Sequence, residues 1–520
     1  MPRCLVVGAG SSGLAACQQV RDAGLEVVCI DAQPGVGGAW RYDPQPGQCR
    51  VVYDEHGTAV ASAPGESDDI GLPPPSPMYS SLHTNVPTAL MQYRGQPFSS
   101  TIPLFCKHDQ VQSYLESFAE PFLPFIRFST RLVRLRHTLP SDGGPQLRWL
   151  AELRSVLSDD APLETEQFDC VMVANGHYSK PYIPWTDGLS SFEGEVQHSR
   201  WFRDAKGYEN KTVLVIGNGA SGYDIARELA QSIYTRRQAG ETNLPHLYQA
   251  ARSPPALGIP FDSPDSPEYG KEVGLYPPIK RVEGRKIEFE DGRSVEDVEV
   301  IMFATGYYFA FPFAHPSDAP FSSHPLTYAP TLPNTAPSSE ATVATTQPAP
   351  RGEPSRHGGL RVHHLDDRAL FYMPDTSLAF LGLPYLVIPF PLAQLQARLA
   401  SLHFARSPRL PSPLTFTPDP LARAGEDHSG PEDSAPETRA AMVWGHPRQF
   451  DQHDRWLREC GDVVDEEDVG EEGGEGGKGG REGKEKGGLT GERSVWGLTS
   501  EAERDLRKGA KGLRKAVLGY

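Results

Sequence analysis

The chain opens on a short, unbroken apolar run, Cys4-Leu5-Val6-Val7, that meets glycine at once and gives way to "LAACQQVRDAG". A brief apolar run bounded by a turn signal reads as a buried strand, and the segment after it has helical character and closes at Gly24. "LEVVCI" is then apolar and β-branched up to Asp31. The N-terminal segment therefore predicts strand, tight turn, helix, strand: one βαβ unit. From Lys211 the same pattern returns in "KTVLVIGNGASGYDIARELAQSIYTRRQAG", with "HLYQAAR" as its second strand. Two such units predict an α/β fold with two Rossmann-like dinucleotide-binding domains.

The pattern lapses twice. From Pro316 to His357 the chain is rich in Pro, Ser, Thr and Ala without periodicity, which predicts a solvated insertion. Residues 421–499 read as a polar, Gly/Glu-rich low-complexity tail, most extreme from Asp462 to Gly488. Between the two, "LRVHHLDDRALFYMPDTSLAFLGLPYLVIPFPLAQLQARLASLHF" regains apolar density and ends in a helix. The last stretch, 500–520, alternates Arg504, Arg507, Lys508, Lys511, Arg514 and Lys515 with Leu506, Leu513, Val517 and Leu518, a basic amphipathic helix. We expect it to pack its apolar side on the protein and leave its lysines in water, the alternative being an anionic membrane surface that the preceding acidic tail disfavours.

Composition narrows the function classes. At 520 residues the chain exceeds what one hydrophobic core supports. A net charge of −17 argues against nucleic acid as a partner, since neutralising phosphates needs a basic face. The seven cysteines are scattered and never in a CxxC pair, which suggests a reduced intracellular protein with no metal site. The most apolar late stretch, Leu378 to Leu392, is too short to span a bilayer and holds three prolines, so the expectation is a soluble, cytoplasmic protein without a transmembrane segment. No motif bears on self-association.

The glycines carry the first chemistry. With 51 of them, chance alone supplies a GxGxxG in the acidic tail, Gly474, Gly476 and Gly479, which has no strand before it and no helix after. Gly8, Gly10 and Gly13 differ because a strand leads in and a helix leads out: the first allows the turn, the second admits a pyrophosphate, the third lets helix and strand pack. Asp31 ends the next strand, where a carboxylate can hold ribose hydroxyls. Gly217, Gly219 and Gly222 repeat the argument, but there the strand ends in Arg252 and Ser253 rather than an acid. An arginine there accommodates a 2′-phosphate and points to NADP, with Arg236 and Arg237 as rivals. Two dinucleotide sites suggest one tightly held redox cofactor and one exchangeable hydride donor, a flavoprotein fed by NADPH.

Five ordered motifs then resemble the flavin-containing monooxygenases. They are "GGAW" at Gly37 to Trp40, "SLHTNVPTALMQY" around Asn85, the FxGxxxHxxx(F/Y) pattern of Phe192, Gly194, His198 and Phe202, "SGYDIA" around Gly222, and "FATGY" at Phe303 to Tyr307. The resemblance implies FAD in the first cradle and NADP(H) in the second, with the NADP domain inserted into a discontinuous FAD domain. In these terms 1–185 is the first part of the FAD domain, 186–300 the NADP domain, and 301–315 with 358–420 the rest of the FAD domain. The resemblance further implies that Asn85 projects between flavin and nicotinamide as the catalytic residue, with Thr84 and Val86 beside it. Gly38, Ala39 and Trp40 then line the flavin with Ser11 and Ser12, and Ser221, Gly222, Tyr223 and Asp224 line NADP. The segment around His198 is read as interdomain architecture, a general base being the sharper alternative. The implied reaction uses NADPH and O2 to oxygenate a soft sulfur or nitrogen of a small thiol, sulfide or amine through a C4a-hydroperoxyflavin. Rivals are a Baeyer–Villiger monooxygenase acting on ketones, whose signature places Trp where Phe202 stands, and a catalytically silent NADP-binding or redox-sensing protein.

Overall fold

A computed structural model describes all residues except 56, 65–72, 140–147, 159, 256, 331–351, 419–441, 464–495 and 520. Both predicted βαβ units form, each at the centre of its own parallel sheet. The first sheet runs Leu378–Phe380, Cys170–Val173, Arg3–Val7, Glu26–Ile30, Ile126–Arg127 in space, all parallel. Its central strands are buried along almost their whole length, the pattern expected when helices cover both faces. The strand Leu378–Phe380 arrives from far along the chain, so the first domain is discontinuous, and the helix Pro389–Phe404 packs on the first-cradle helix Ser11–Asp22.

The second sheet runs Glu195–His198, Val300–Phe303, Val213–Ile216, Leu247–Ala250, Val273–Tyr276, again all parallel. Two chain crossings join the domains, at Lys180–Pro181 and Tyr307–Tyr308, and these pair antiparallel as a short ribbon.

Three boundaries differ from the expectation. Val300–Phe303 lies in the second sheet, between two of its strands, so a division between 300 and 301 cuts a strand; the crossing follows Phe303. The predicted insertion 316–357 is packed at its first described end: Phe321 and Leu326 are buried in the first core, and Asp318 accepts two hydrogen bonds of 2.6 Å from Arg134. Its middle, 331–351, lies outside the described residues. Within the predicted polar tail, the helix Arg448–Glu459 buries Phe450, Trp456 and Leu457 in the first core, joined by Met442 and Trp444. Trp456 and Leu457 fall six and seven residues after Phe450, on one helical face, and a polar surrounding hid them. The rest of that tail, 419–441 and 464–495, lies outside the described residues.

The C-terminal helix forms over Glu501–Leu518, opened by a capping box between Ser500 and Glu503. No helix among the described residues is long and apolar enough to cross a membrane.

Candidate functional site

The first cradle is built by backbone in a conformation only glycine adopts easily. Gly8 has φ +106°, and a Cβ there would lie 2.5 Å from the Ala174 carbonyl oxygen. A Cβ on Gly13 would overlap the Gly8 carbonyl, so helix and strand close on each other only with glycine at that point. The first-cradle helix has Gly10 at its N-cap and no side-chain cap, which leaves backbone N–H groups at its N-terminus for an anion. The Gly37–Trp40 turn lies across that N-terminus: Gly37 N–H donates to Ala9 O at 3.1 Å, and a Cβ on Gly10 would stand 3.4 Å from Gly38. Trp40 meets Phe390 edge-on at 6.3 Å, and Ala39 O accepts the Ser76 hydroxyl at 2.5 Å. Ser11 O accepts the Tyr93 hydroxyl at 2.5 Å, and Ser12 lies against Gly382. The Asp31 carboxylate closes on its own cradle, accepting from Ala9 N–H at 2.5 Å and Gln33 N–H at 2.7 Å, while burial pushes its pKa up.

The second cradle repeats this plan. Gly217 has φ +100°, a Cβ there would stand 2.7 Å from Ala304 O, and one on Gly222 would overlap Gly217 O. Gly219 caps the helix Ala220–Gln238 without a side-chain bond, and a Cβ on it would meet nothing within 4 Å. Ser221 is half-buried in the first turn of that helix. Tyr223 and Asp224 are buried and have partners inside the protein. The Tyr223 ring stacks on Phe261 at 5.0 Å and its hydroxyl accepts from Ile259 N–H, while Asp224 accepts the Tyr79 hydroxyl at 2.5 Å. Their side chains build the wall behind the cradle.

The three candidate arginines lie in different places. Arg236 and Arg237 sit at the opposite end of that helix, about 25 Å from its start at about 1.5 Å per residue, and are held by Glu241 and Glu272. Arg252 is exposed just beyond Leu247–Ala250, beside the contact from Asn218 to Ser253 O.

Segment 76–91 lies between the cradles. Ser76 holds the Gly37–Trp40 turn, and Ser80 N–H and hydroxyl both donate to Arg203 O, at 2.9 and 3.0 Å. Tyr79 enters the second domain's core, edge-on to Phe202 at 6.0 Å, with its hydroxyl on Asp224. Burial and the neighbouring carboxylate push the Tyr79 phenol well above its usual range, so it stays a donor. Ser81 reaches Glu228 one turn further on. Thr84 and Val86 are buried and Asn85 half-buried between them; Thr84 N–H donates to Cys106 O at 2.9 Å and Thr88 N–H to Leu104 O at 2.8 Å.

The segment carrying Phe192, Gly194, His198 and Phe202 supplies the edge strand of the second sheet and the contacts to this loop. His198 is fully buried; its Nδ1 accepts from Arg200 N–H at 3.2 Å, so its Nε2 carries the proton and donates to Gly306 O at 2.9 Å. Both ring nitrogens are engaged by backbone, so the general-base alternative falls. Arg203 binds Asp43 O, Ser76 O, Arg200 O and Phe202 O, tying both domains together. Neither Arg203 nor Tyr79 stood out in the sequence.

Comparison with known proteins agrees with this geometry. The family described as Flavin-binding monooxygenase-like matches residues 74–238 and 263–325, and the NAD(P)-binding Rossmann-like domain matches 6–70. The chain resembles the flavin-binding monooxygenase-like family over 228 of its 520 residues. Its relatives include a "Thiol-specific monooxygenase" of Saccharomyces cerevisiae, 27% identical over 80% of this chain and 79% of that one. Another is a "Senecionine N-oxygenase" of Tyria jacobaeae, 29% identical over 60% of this chain and 59% of that one. The fold matches the structure of S-allyl-L-cysteine S-oxygenase from Allium sativum with a TM-score of 0.65, at 21% identity, over 99% of this chain and 94% of that one.

The cofactors of this monooxygenase are FAD and NADP(H). The two uncapped helix N-termini fit a pyrophosphate each, and the open space before Gly219 leaves room for phosphates to approach the backbone.

Proposed function

We propose that this monooxygenase oxygenates a soft heteroatom, sulfur or amine nitrogen, of a small thiol, sulfide or amine, with NADPH as hydride donor and O2 as oxidant. The observation that carries the reading is the convergence of segment 76–91 on both cradles. One segment touches the Gly37–Trp40 turn through Ser76 and the second-cradle helix through Tyr79 and Ser81, and it carries Asn85 between those ties.

FAD, when bound and reduced, would activate O2, and O2 supplies the one oxygen atom that is transferred. The chain's own residues bind, orient and exclude water. The glycine turns and helix N-termini of Gly8–Gly13 and Gly217–Gly222 hold the pyrophosphates, Asp31 serves the first nucleotide's ribose, and Arg252 meets the 2′-phosphate of NADPH. Asn85 offers an amide donor and acceptor between flavin and nicotinamide, and the buried neighbours Thr84 and Val86 keep its backbone fixed. No side-chain nucleophile or strong base enters this scheme, in accord with the backbone-locked His198. A cytoplasmic location belongs to the same proposal.

The test is a panel of thiols, sulfides, amines and ketones, read by oxygen uptake, NADPH consumption and product mass. Sulfur or nitrogen oxides gaining one oxygen are the expected products. Esters or lactones from ketones would assign Baeyer–Villiger chemistry instead, and a purified protein without flavin would remove the enzyme reading.

A further inference from the structure

The C-terminal helix Glu501–Leu518 bridges the two domains, and its arginines make the contacts. At its first turns Arg504 pairs with Asp451 at 2.9 Å and Asp454 at 2.5 Å, Leu506 packs on the first core, and Arg507 donates to Leu386 O at 3.0 Å. Midway it lies against the short helix Thr88–Met91, which begins three residues after Asn85. At its last turns Leu518 packs on the second core, Lys515 approaches Asp265 at 3.7 Å, and Arg514, only 3% exposed, comes to 3.7 Å from the Asp224 carboxylate. Lys508, Lys511 and Lys515 are exposed, as the sequence suggested, whereas Arg514 is buried.

Asp224 is thereby shared by three segments. Its Oδ2 accepts the Tyr79 hydroxyl, and its Oδ1 faces Arg227 at 3.6 Å and Arg514 at 3.7 Å. Removing one charge from a buried cluster leaves the others uncompensated, so the geometry of the remaining members depends on it.

We propose that Arg514 is a positioning residue: from the C-terminal helix it fixes Asp224, which holds Tyr79 and so seats the Asn85 loop against the NADP cradle. The inference rests on the reading of Asn85 given above. Without Arg514, Asp224 and Glu228 gain excess negative charge on the helix whose N-terminus takes the coenzyme's phosphates, and the Tyr79 tie loses its fixed acceptor.

The experiment uses the full-length, FAD-loaded protein with Arg514→Met, Arg514→Lys, Tyr79→Phe, Asn85→Ala and the double variant of Arg514→Met with Asn85→Ala. Three quantities are read: amide hydrogen exchange of segment 76–91, NADP+ affinity by calorimetry, and hydrogen peroxide released per NADPH consumed with NADPH and O2 alone. Arg514→Met and Tyr79→Phe should each speed exchange in 76–91 by about five- to tenfold and raise the peroxide rate several-fold, at unchanged flavin content. Arg514→Met should also weaken NADP+ several-fold, and Arg514→Lys should restore part of each effect. In the double variant the peroxide rate should match Asn85→Ala alone, because both act on one device. Unchanged exchange in Arg514→Met overturns the proposal whatever Tyr79→Phe does, as does an additive double variant. If Asn85→Ala leaves peroxide release unchanged, the reading of Asn85 fails, and the exchange data still decide whether Arg514 holds the loop.

Discussion

The two cradles share a plan and differ in what faces them. In each, the first glycine abuts a backbone carbonyl at the end of the neighbouring strand, Ala174 for Gly8 and Ala304 for Gly217. The first cradle then closes: the Gly37–Trp40 turn lies across its helix, Gly10 faces Gly38, and Asp31 folds back on Ala9 N–H. The second stays open before Gly219 and ends its next strand in exposed Arg252. One frame thus makes a covered site suited to a resident cofactor and an accessible one suited to a coenzyme that comes and goes.

The largest expected effect separates the cradles outright. Gly13→Val and Gly222→Val each drive a side chain into the carbonyl of the leading glycine, a cost on the order of a hundredfold or more in affinity. The first should yield protein without flavin or none that folds. The second should stay yellow and resist reduction by NADPH. Flavin absorbance per protein and stopped-flow reduction measure both, and loss of flavin in Gly222→Val would show that the cradles are not independent.

Acid should then divide the domains. His403 and His453 lie in the first domain, their pKa values pushed down by burial to about 4 and about 3. Each prefers to be neutral when folded, so its contribution is complete above the ordinary histidine value and is lost as pH falls from there toward the folded value. At pH 5 this is about 2 kcal/mol per histidine. Thermal unfolding followed by flavin release should therefore fall steeply between pH 7 and 5, and a flat profile would break the assignment.

A smaller effect tests the open side. Arg252→Ala should cut the preference for NADPH over NADH by about ten- to a hundredfold, the worth of one charge-assisted contact. An unchanged ratio of kcat/KM values removes Arg252 from the site. Smallest of all, Gly219→Ala should leave the melting temperature within about 1 °C, because its Cβ meets only open space. It should still raise KM for NADPH if, as proposed, the coenzyme's phosphates take that space. An unaltered KM would place the phosphates elsewhere.

Much of this was legible from local pattern. The glycine spacings, the strands leading into them and the alternation of apolar runs located both sheets, because each of those signals is set by neighbours in sequence. A further local signal went unread: Met172-Val-Ala-Asn-Gly-His-Tyr178 and Met302-Phe-Ala-Thr-Gly-Tyr-Tyr308 share Met-x-Ala-x-Gly-x-Tyr, and both supply the alanine carbonyl that the leading glycine abuts and the crossing between domains. The helix Arg448–Glu459 was hidden by its polar surroundings, although Phe450, Trp456 and Leu457 lie on one face.

By itself the sequence determined that there are two dinucleotide cradles and which glycines build them, since a turn that needs positive φ and no Cβ is specified within a few residues. Only the tertiary structure decided what stands between them. Tyr79, Asp224 and Arg514 come from three widely separated segments, and nothing in the spacing of any one announces the others. Their meeting depends on how two cores and a bridging helix pack, where a buried carboxylate takes whichever donors the fold delivers.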